Sequence, residues 1–407
     1  MENVYITGRG LITPLGIGLA ANEAALRSGK SGVVRYDKFV EMGLGSEVGG
    51  VVEENPATER IDRKTARFCP PTATMSVVAV EEALQEAGVT AEDIQSRRIA
   101  VISGVAGSNY RELYTYTDAY VQSRKIRNVT PMIVPRIMPS SAVAVLSLVF
   151  GFRGESYDLS AACASSAVST MLATRLIRSG EYDMVVVGGA EQLDWVQAIG
   201  FNAIRALSHG YNETPERASR PFDRGRDGFV LAGGAAYMVL ESERSVRERG
   251  VRPITRITGI ASNSNAVDMV VPDTASCAAV MREAVANAGL NPADIAYINT
   301  HGTSTPVGDP VEMAAIREVF GSTPAINSTK SQTGHMVGAA GAAEVIFTSM
   351  MMERNFLSRS INLEDPEPDF SWSDLLTEYR EGTTVRHALS NSFAFGGTNA
   401  SLVLSHC

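Results

Sequence analysis

Short runs of small and apolar residues recur along the chain, each bounded by turn residues. RIAVISG at 98–104, DMVVVGG at 183–189 and AAYMVLE at 235–241 are near-continuous apolar segments, the pattern of strands buried on both faces. AYINTHG at 296–302 is another, and HALSNSFAFGGTNASLVL at 387–404 reads as strand, glycine turn, strand. Segments with helical spacing lie between them, as in Val168, Leu172 and Leu176 before a stop at Gly180. This alternation predicts α/β layering rather than a helix bundle or a β-sandwich.

Part of the pattern is written twice. EALQEAGVTAEDI (82–94) and EAVANAGLNPADI (283–295) align without a gap and agree at 6 of 13 positions. Each predicts a helix that ends near a glycine, Gly88 or Gly289, where no side chain opposes the terminating turn. A strand follows each. Repeated architecture is therefore expected, divided at about residues 1–250 and 251–407. Residues 109–139 interrupt the alternation with aromatics, a basic cluster and three prolines. Packing over the core and a subunit interface are both open readings of that excursion.

Composition narrows the class. The 407 residues carry 36 Lys+Arg against 45 Asp+Glu, a net charge of −9, which disfavours broad attraction to nucleic acid. No apolar run reaches 18 residues, so no membrane span is expected. The opening MENVYITGRGLITPLG lacks the pattern of a secretory signal, and a cytoplasmic location is the expectation. Cys69, Cys163, Cys277 and Cys407 are widely separated, without a CxxC pair, and the five histidines form no HExxH motif. A reduced, metal-independent protein is expected. No glycine-rich nucleotide fingerprint is present.

Candidate chemistry gathers in four places. YDLSAACASSA puts Cys163 between a strand-like approach and a helical pattern. Unpaired N–H groups at a helix start favour a thiolate there, although an inert core cysteine is the alternative. NTHGTSTPVGDPVE places His301 in a turn after an apolar strand, where a catalytic and a structural histidine are both open; Asp309 and Glu312 either line a site or, as the spacing favours, cap the next helix and support its first turn. INSTKSQTGHMVGAAGAAE carries Lys330, His335 and Glu344; Glu344 is placed to pair with Lys330, and the small residues allow close helix packing. NSFAFGGTNASL sets Phe393 and Phe395 beside Gly396 and Gly397, a turn that can present a backbone N–H to an oxyanion.

Read in order, VYITGRGLITPLG, IDRKTARF, SAACASSA, HGYNETPERASRPFDRGRDGFVLAGG, THGTSTPVGDPVE, TKSQTGH and NSFAFGGTN span essentially the whole chain. Together they resemble the condensing enzymes of the thiolase-like superfamily, more closely the β-ketoacyl-acyl-carrier-protein synthase I group. The resemblance implies a duplicated thiolase-like fold layered α-β-α-β-α. It implies decarboxylating condensation of an acyl-enzyme with malonyl-acyl-carrier protein, with fatty-acid elongation as the expected setting and a specialised polyketide or polyene ketosynthase as the alternative. It makes Cys163 the nucleophile, His301 and His335 the catalytic histidines, and Lys330 with Glu344 their support. The Phe395 and Cys163 N–H groups would form the oxyanion hole, with Phe395 also a gate. Family members often have glycine where this chain has Ala394. Met138 and Phe393 are implied at the acyl path, and Thr303 and Thr305 beside the phosphopantetheine amides. Arg63, Lys64, Arg67, Arg124 and Arg127 are implied as the docking patch for acyl carrier protein. A homodimer is implied, and no resident cofactor: phosphopantetheine arrives attached to the carrier protein.

Overall fold

The computed structural model describes residues 2–107, 109–322 and 324–407. Its first half contains strand β1 (Val4–Thr13), helix α1 (Pro71–Glu86), β2 (Ala100–Gly104), α2 (Tyr110–Ser123), α3 (Ser141–Phe150) and β3 (Ser156–Leu159). It continues through α4 (Ser165–Arg178), β4 (Met184–Glu191), α5 (Trp195–Ala203) and β5 (Gly234–Ser242). The second half contains β6 (Thr255–Ser264), α6 (Thr274–Asn287), β7 (Tyr297–Asn299), α7 (Gly308–Phe320), β8 (Ala325–Asn327), α8 (Ala340–Arg354), β9 (Asp374–Leu375), β10 (His387–Phe393) and β11 (Thr398–His406).

The duplication read from two short segments extends through the sheet. From the seam between β1 and β6, the order runs β1-β5-β4-β2-β3 in one direction and β6-β11-β10-β7-β8 in the other, with β9 beyond. Pairing types match outward on both sides. Two antiparallel contacts come first and two parallel ones follow. β1 and β6 meet only over Val4–Ile6 and Thr255–Ile257. The repeated helices end as expected: α1 stops before Gly88 (φ +61°) and α6 before Gly289 (φ +71°).

Strand residues alternate between two buried environments, as a period of two requires when both faces are covered. Val185 and Val187 of β4 face a central core with α4 and α8, while Val186 faces α1 and α3. In the second half, Ala388 faces that same central core and Leu389 the layer of α6 and α7. The layers are thus outer helices, half-sheet, central helices, half-sheet, outer helices.

Close packing of the central helices depends on small residues. A Cβ on Gly341 of α8 would lie 2.8 Å from the Ala167 Cβ of α4, and one on Gly104 would lie 2.3 Å from the Ser166 nitrogen. The helix expected from Val168, Leu172 and Leu176 forms as α4 and ends before Gly180. Val168, Leu172 and Leu176 are only half-buried, whereas Ser166, Ala167, Thr170, Met171 and Thr174 are buried. The buried face mixes small residues, where α8 comes closest at Ala167, with the larger Met171 and Ile177, while Val168, Leu172 and Leu176 pack at the margin of the same core. No helix among the described residues is long and apolar enough to cross a membrane.

Candidate active site

The catalytic candidates sit on loops that follow strand ends in both halves. The loop from β3 to α4 carries Cys163, and its counterpart from β8 to α8 carries Lys330 and His335. The loop after β7 carries His301, and the β10–β11 turn carries Phe395. Loops at strand C-termini are where ligands meet an α/β sheet.

Cys163 follows Ala162, whose φ of +46° marks a sharp turn, unusual for a residue with a side chain. Ser165 ties this turn together: its Oγ accepts the Ala161 N–H at 2.9 Å and donates to the Ala162 carbonyl at 2.6 Å. The cysteine is half-buried and opens onto a cavity of about 320 Å³. The expectation of a favoured thiolate is corrected here. Burial pushes the Cys163 thiol up to about 12; Lys330 and the N–H groups of Phe395 and Cys163 favour the anion but do not outweigh desolvation. The resting group is a thiol, surrounded by donors that stabilise negative charge once it forms.

The Cys163 sulfur and one nitrogen of each of His301 and His335 lie within 4.8 Å of one another. The two imidazole rings meet edge to face at 5.3 Å, and Phe229 packs against His335 at 5.4 Å. His335 is fixed by its backbone, donating to the Val230 carbonyl at 2.7 Å and accepting from the Ala232 N–H at 3.0 Å. Its two ring nitrogens and His301 Nδ1 have no hydrogen-bond partner among the described residues. Burial, then the Lys330 charge, hold both histidines well below the ordinary 6.5, so both rings are neutral at physiological pH. A Cys–His–His set also suits a soft divalent cation, which the nearby Lys330 charge would repel.

Lys330 and Glu344 form the expected ion pair, both side chains almost fully buried. Burial raises the Glu344 carboxyl to about 7 against the pull of Lys330. Buried and paired, this lysine provides a fixed positive field behind the histidines.

Asp309 and Glu312 line the cavity, one of the two roles open from sequence, and the other is corrected: α7 starts at Gly308 behind Val307 with no side-chain cap, and Glu312 lies beyond its first turn. The Asp309 carboxylate reaches back to the N–H groups of Ser304 and Thr305 and across to that of Phe222. Glu312 accepts the His301 and Gly302 N–H groups. Both acids therefore hold the loop that presents His301. Their spacing of three sets both acids on one helical face, a signal that a cap and first-turn acid also explained. Glu191, not singled out from sequence, is similarly buried. It accepts from Ala106, Gly107 and Gly338, linking the β2 loop to the loop after His335, and burial raises it to about 8.

The cavity brings together Cys163, His301, Thr303, Thr305, His335, Phe393 and Phe395. The Thr303 and Thr305 hydroxyls lie 3.2 Å apart. Phe201 and Phe229, unmarked in the sequence reading, complete an aromatic wall with Phe393 and Phe395. Gly396 and Gly397 take φ values of +82° and +79° beside Phe395. Met138 is half-buried at the end of a short helix in the excursion and does not line this cavity. Arg63, Lys64, Arg67, Arg124 and Arg127 are all exposed.

A duplicated five-layer fold with a Cys–His–His constellation defines a thiolase-type condensing enzyme, and the chain belongs to the β-ketoacyl synthase family. Residues 1–245 match the family's N-terminal domain and residues 254–364 its C-terminal domain. The chain is 41% identical over 404 residues to 3-oxoacyl-(acyl-carrier-protein) synthase 1 of Haemophilus influenzae, covering 99% of this chain and 98% of that protein. It superimposes with a TM-score of 0.95 on a β-ketoacyl synthase from Burkholderia phymatum STM815, at 32% identity and with full coverage of both chains. A type II polyketide ketosynthase, solved in complex with its acyl-carrier protein and bound to the hexaketide, matches over the full length of both chains with a TM-score of 0.90 but 27% identity. The protein is a condensing acyltransferase with the chemistry of a β-ketoacyl-acyl-carrier-protein synthase, nearer in sequence to the Haemophilus enzyme than to that polyketide ketosynthase.

Proposed function

We propose that the chain elongates fatty acyl groups, using Cys163 as acyl acceptor and His301 and His335 to stabilise the enolate derived from malonyl-acyl-carrier protein. The convergence of one sulfur and two neutral imidazoles within 4.8 Å carries this reading. In the first half-reaction, the Cys163 sulfur attacks the thioester carbonyl of acyl carrier protein. Its proton passes to the departing phosphopantetheine thiol, leaving acyl-Cys163. The oxyanion formed on the way is held by the N–H groups of Phe395 and Cys163.

Malonyl carrier protein then loses carbon dioxide. The pair of electrons released from the C–C bond enters the thioester as an enolate, whose oxygen accepts hydrogen bonds from His301 and His335. The enolate carbon attacks the acyl-Cys163 carbonyl, and collapse expels the Cys163 thiolate, which regains a proton. The product is a β-ketoacyl carrier protein two carbons longer. Burial keeps the imidazoles neutral, aided by the charge of Lys330 paired with Glu344, and Thr303 and Thr305 receive the amides of the arm.

The carrier protein docks through Arg63, Lys64, Arg67, Arg124 and Arg127; their exposure supports this, as does the carrier complex of the structurally similar polyketide ketosynthase. Phe395 gates the cavity while Phe393 and Met138 bound the acyl path. Exposed apolar side chains elsewhere on the excursion, Leu113 and Val134 among them, support a homodimer that covers those positions and leaves Arg124 and Arg127 open to the carrier protein. The two units are residues 1–250 and 251–407, working in the cytoplasm without a resident cofactor. Reconstitution with malonyl carrier protein and acyl carrier proteins of several lengths tests the reading. Mass spectrometry should find carrier-bound β-ketoacyl products extended by two carbons; their absence with every primer would overturn it.

A further inference from the structure

Among the described residues that line the cavity, Arg205 is the only one with a cationic side chain, since His301 and His335 are neutral. It stands at the rim rather than the base. Ile204 and Val307 beside it are more than half exposed, at 54% and 52%, and Val270 and Val271 extend the same apolar rim. Asp309 and Glu312 also line the cavity, but their oxygens are already engaged by backbone N–H groups. Arg205 is exposed and makes no ion pair among the described residues.

The backbone gives Arg205 a defined position. Helix α5 ends at Ala203, and Arg205 takes φ +54° in the turn that follows. The Arg205 N–H donates to the Asn202 carbonyl and the Ala206 N–H to that of Phe201, each at 3.0 Å. This left-handed terminating position suits glycine and opposes a side chain. The turn gains nothing from arginine, while the cavity mouth gains a guanidinium on a fixed base.

The proposed occupant has complementary chemistry, and the inference rests on that reading of the site. A phosphopantetheine arm with its thioester at Cys163 and its amides beside Thr303 and Thr305 directs its phosphate outward. That phosphate is the arm's one anionic group. We propose that Arg205 binds the phosphate of the phosphopantetheine arm and so sets how deeply the thioester enters. A planar guanidinium can make two parallel hydrogen bonds to phosphate oxygens, which an ammonium cannot.

Acylation of Cys163 by acyl-phosphopantetheine and by acyl-pantetheine, which lacks the phosphate, tests the assignment without a carrier protein. Wild-type enzyme should have the lower KM for the phosphorylated thioester. Arg205→Gly should diminish that preference by about 10-fold, the scale of a lost charge-assisted hydrogen bond, and Arg205→Lys should retain part of it. Glycine suits the turn, so the melting temperature of Arg205→Gly should not fall. No phosphate preference in the wild type, or a preference that survives in Arg205→Gly, would overturn the proposal. Wild-type enzyme inert toward both thioesters would overturn the reading of the site itself, and Arg205 with it.

Discussion

Glu312 holds His301 by its backbone: its Oε1 accepts the His301 N–H at 2.9 Å and its Oε2 the Gly302 N–H at 2.7 Å. Asn391 donates to Oε1 at 3.1 Å, so one buried carboxylate joins α7, the loop after β7 and strand β10. Truncation would leave buried donors unpaired. Glu312→Ala should lose about 3 kcal/mol of stability, measured by chemical unfolding. At a temperature where it remains folded, malonyl decarboxylation should fall more than Cys163 acylation, because the disturbed loop carries His301. Equal losses in the two half-reactions would count against this positioning role.

Cys163 should be the sole acyl acceptor. Cys69 and Cys277 are buried away from the cavity, and desolvation raises both thiols, Cys69 to about 11. Intact-mass measurement after exposure to acyl carrier protein should find one adduct, absent in Cys163→Ala. The raised Cys163 pKa adds a second expectation. Alkylation by iodoacetamide should keep accelerating about 10-fold per pH unit through pH 9, since the thiolate fraction is still rising. A plateau near pH 7 would mean that the surrounding donors outweigh burial.

The apolar runs revealed the strands, and the EALQEAG and EAVANAG segments revealed the duplication, because burial on both faces and glycine-terminated helices leave local marks. The surroundings of Cys163, His301, Lys330 and His335 singled them out but left a core cysteine and a structural histidine open; their roles came from the resemblance to the condensing enzymes. What escaped was set by contacts distant in sequence. Asp309 and Glu312 stood open between helix-start acids and site-lining ones, because their N–H partners are fixed only by the way the loop before α7 folds back. Glu191 had no local signature, since its three N–H partners come from residues 106, 107 and 338. The spacing of Val168, Leu172 and Leu176 marked α4 as a helix but not its buried face, which is set by close approaches such as that of Gly341 to Ala167. Arg205 gained significance only when the cavity mouth contained no other cationic side chain.

His301→Ala and His335→Ala should each slow malonyl decarboxylation by about 100–1,000-fold, the usual effect of removing one well-placed donor to a developing oxyanion. Formation of acyl-Cys163 should suffer less, because Phe395 and Cys163 supply its N–H donors. Carbon-dioxide release and single-turnover acylation separate the two. Both rings have pKa values well below 6.5, so decarboxylation should stay flat from pH 6 to 8. A histidine-dependent limb near 6.5, or near-normal decarboxylation in both variants, would contradict the two-histidine mechanism.

Asp158 on edge strand β3 offers a prediction about stability rather than turnover. Part of the residue is accessible at the sheet edge, yet both carboxylate oxygens are enclosed without a well-formed hydrogen bond among the described residues. Burial raises its pKa to about 6; Ser103 and the Val143 N–H pull the other way without compensating. The unfolded value is about 3.9, so the folded state binds the proton more tightly. The resulting contribution is fully present below about pH 4 and is lost as pH rises through about 6. A shift of about two units corresponds to roughly 3 kcal/mol between those limits. Asp158→Asn removes the ionisable group while keeping its size, so it should stabilise the protein by about 1–3 kcal/mol at pH 8 and change little at pH 4. Chemical unfolding at both pH values checks this. A variant destabilised equally at both would mean that the Asp158 carboxylate has a native partner and is not a buried, uncompensated charge.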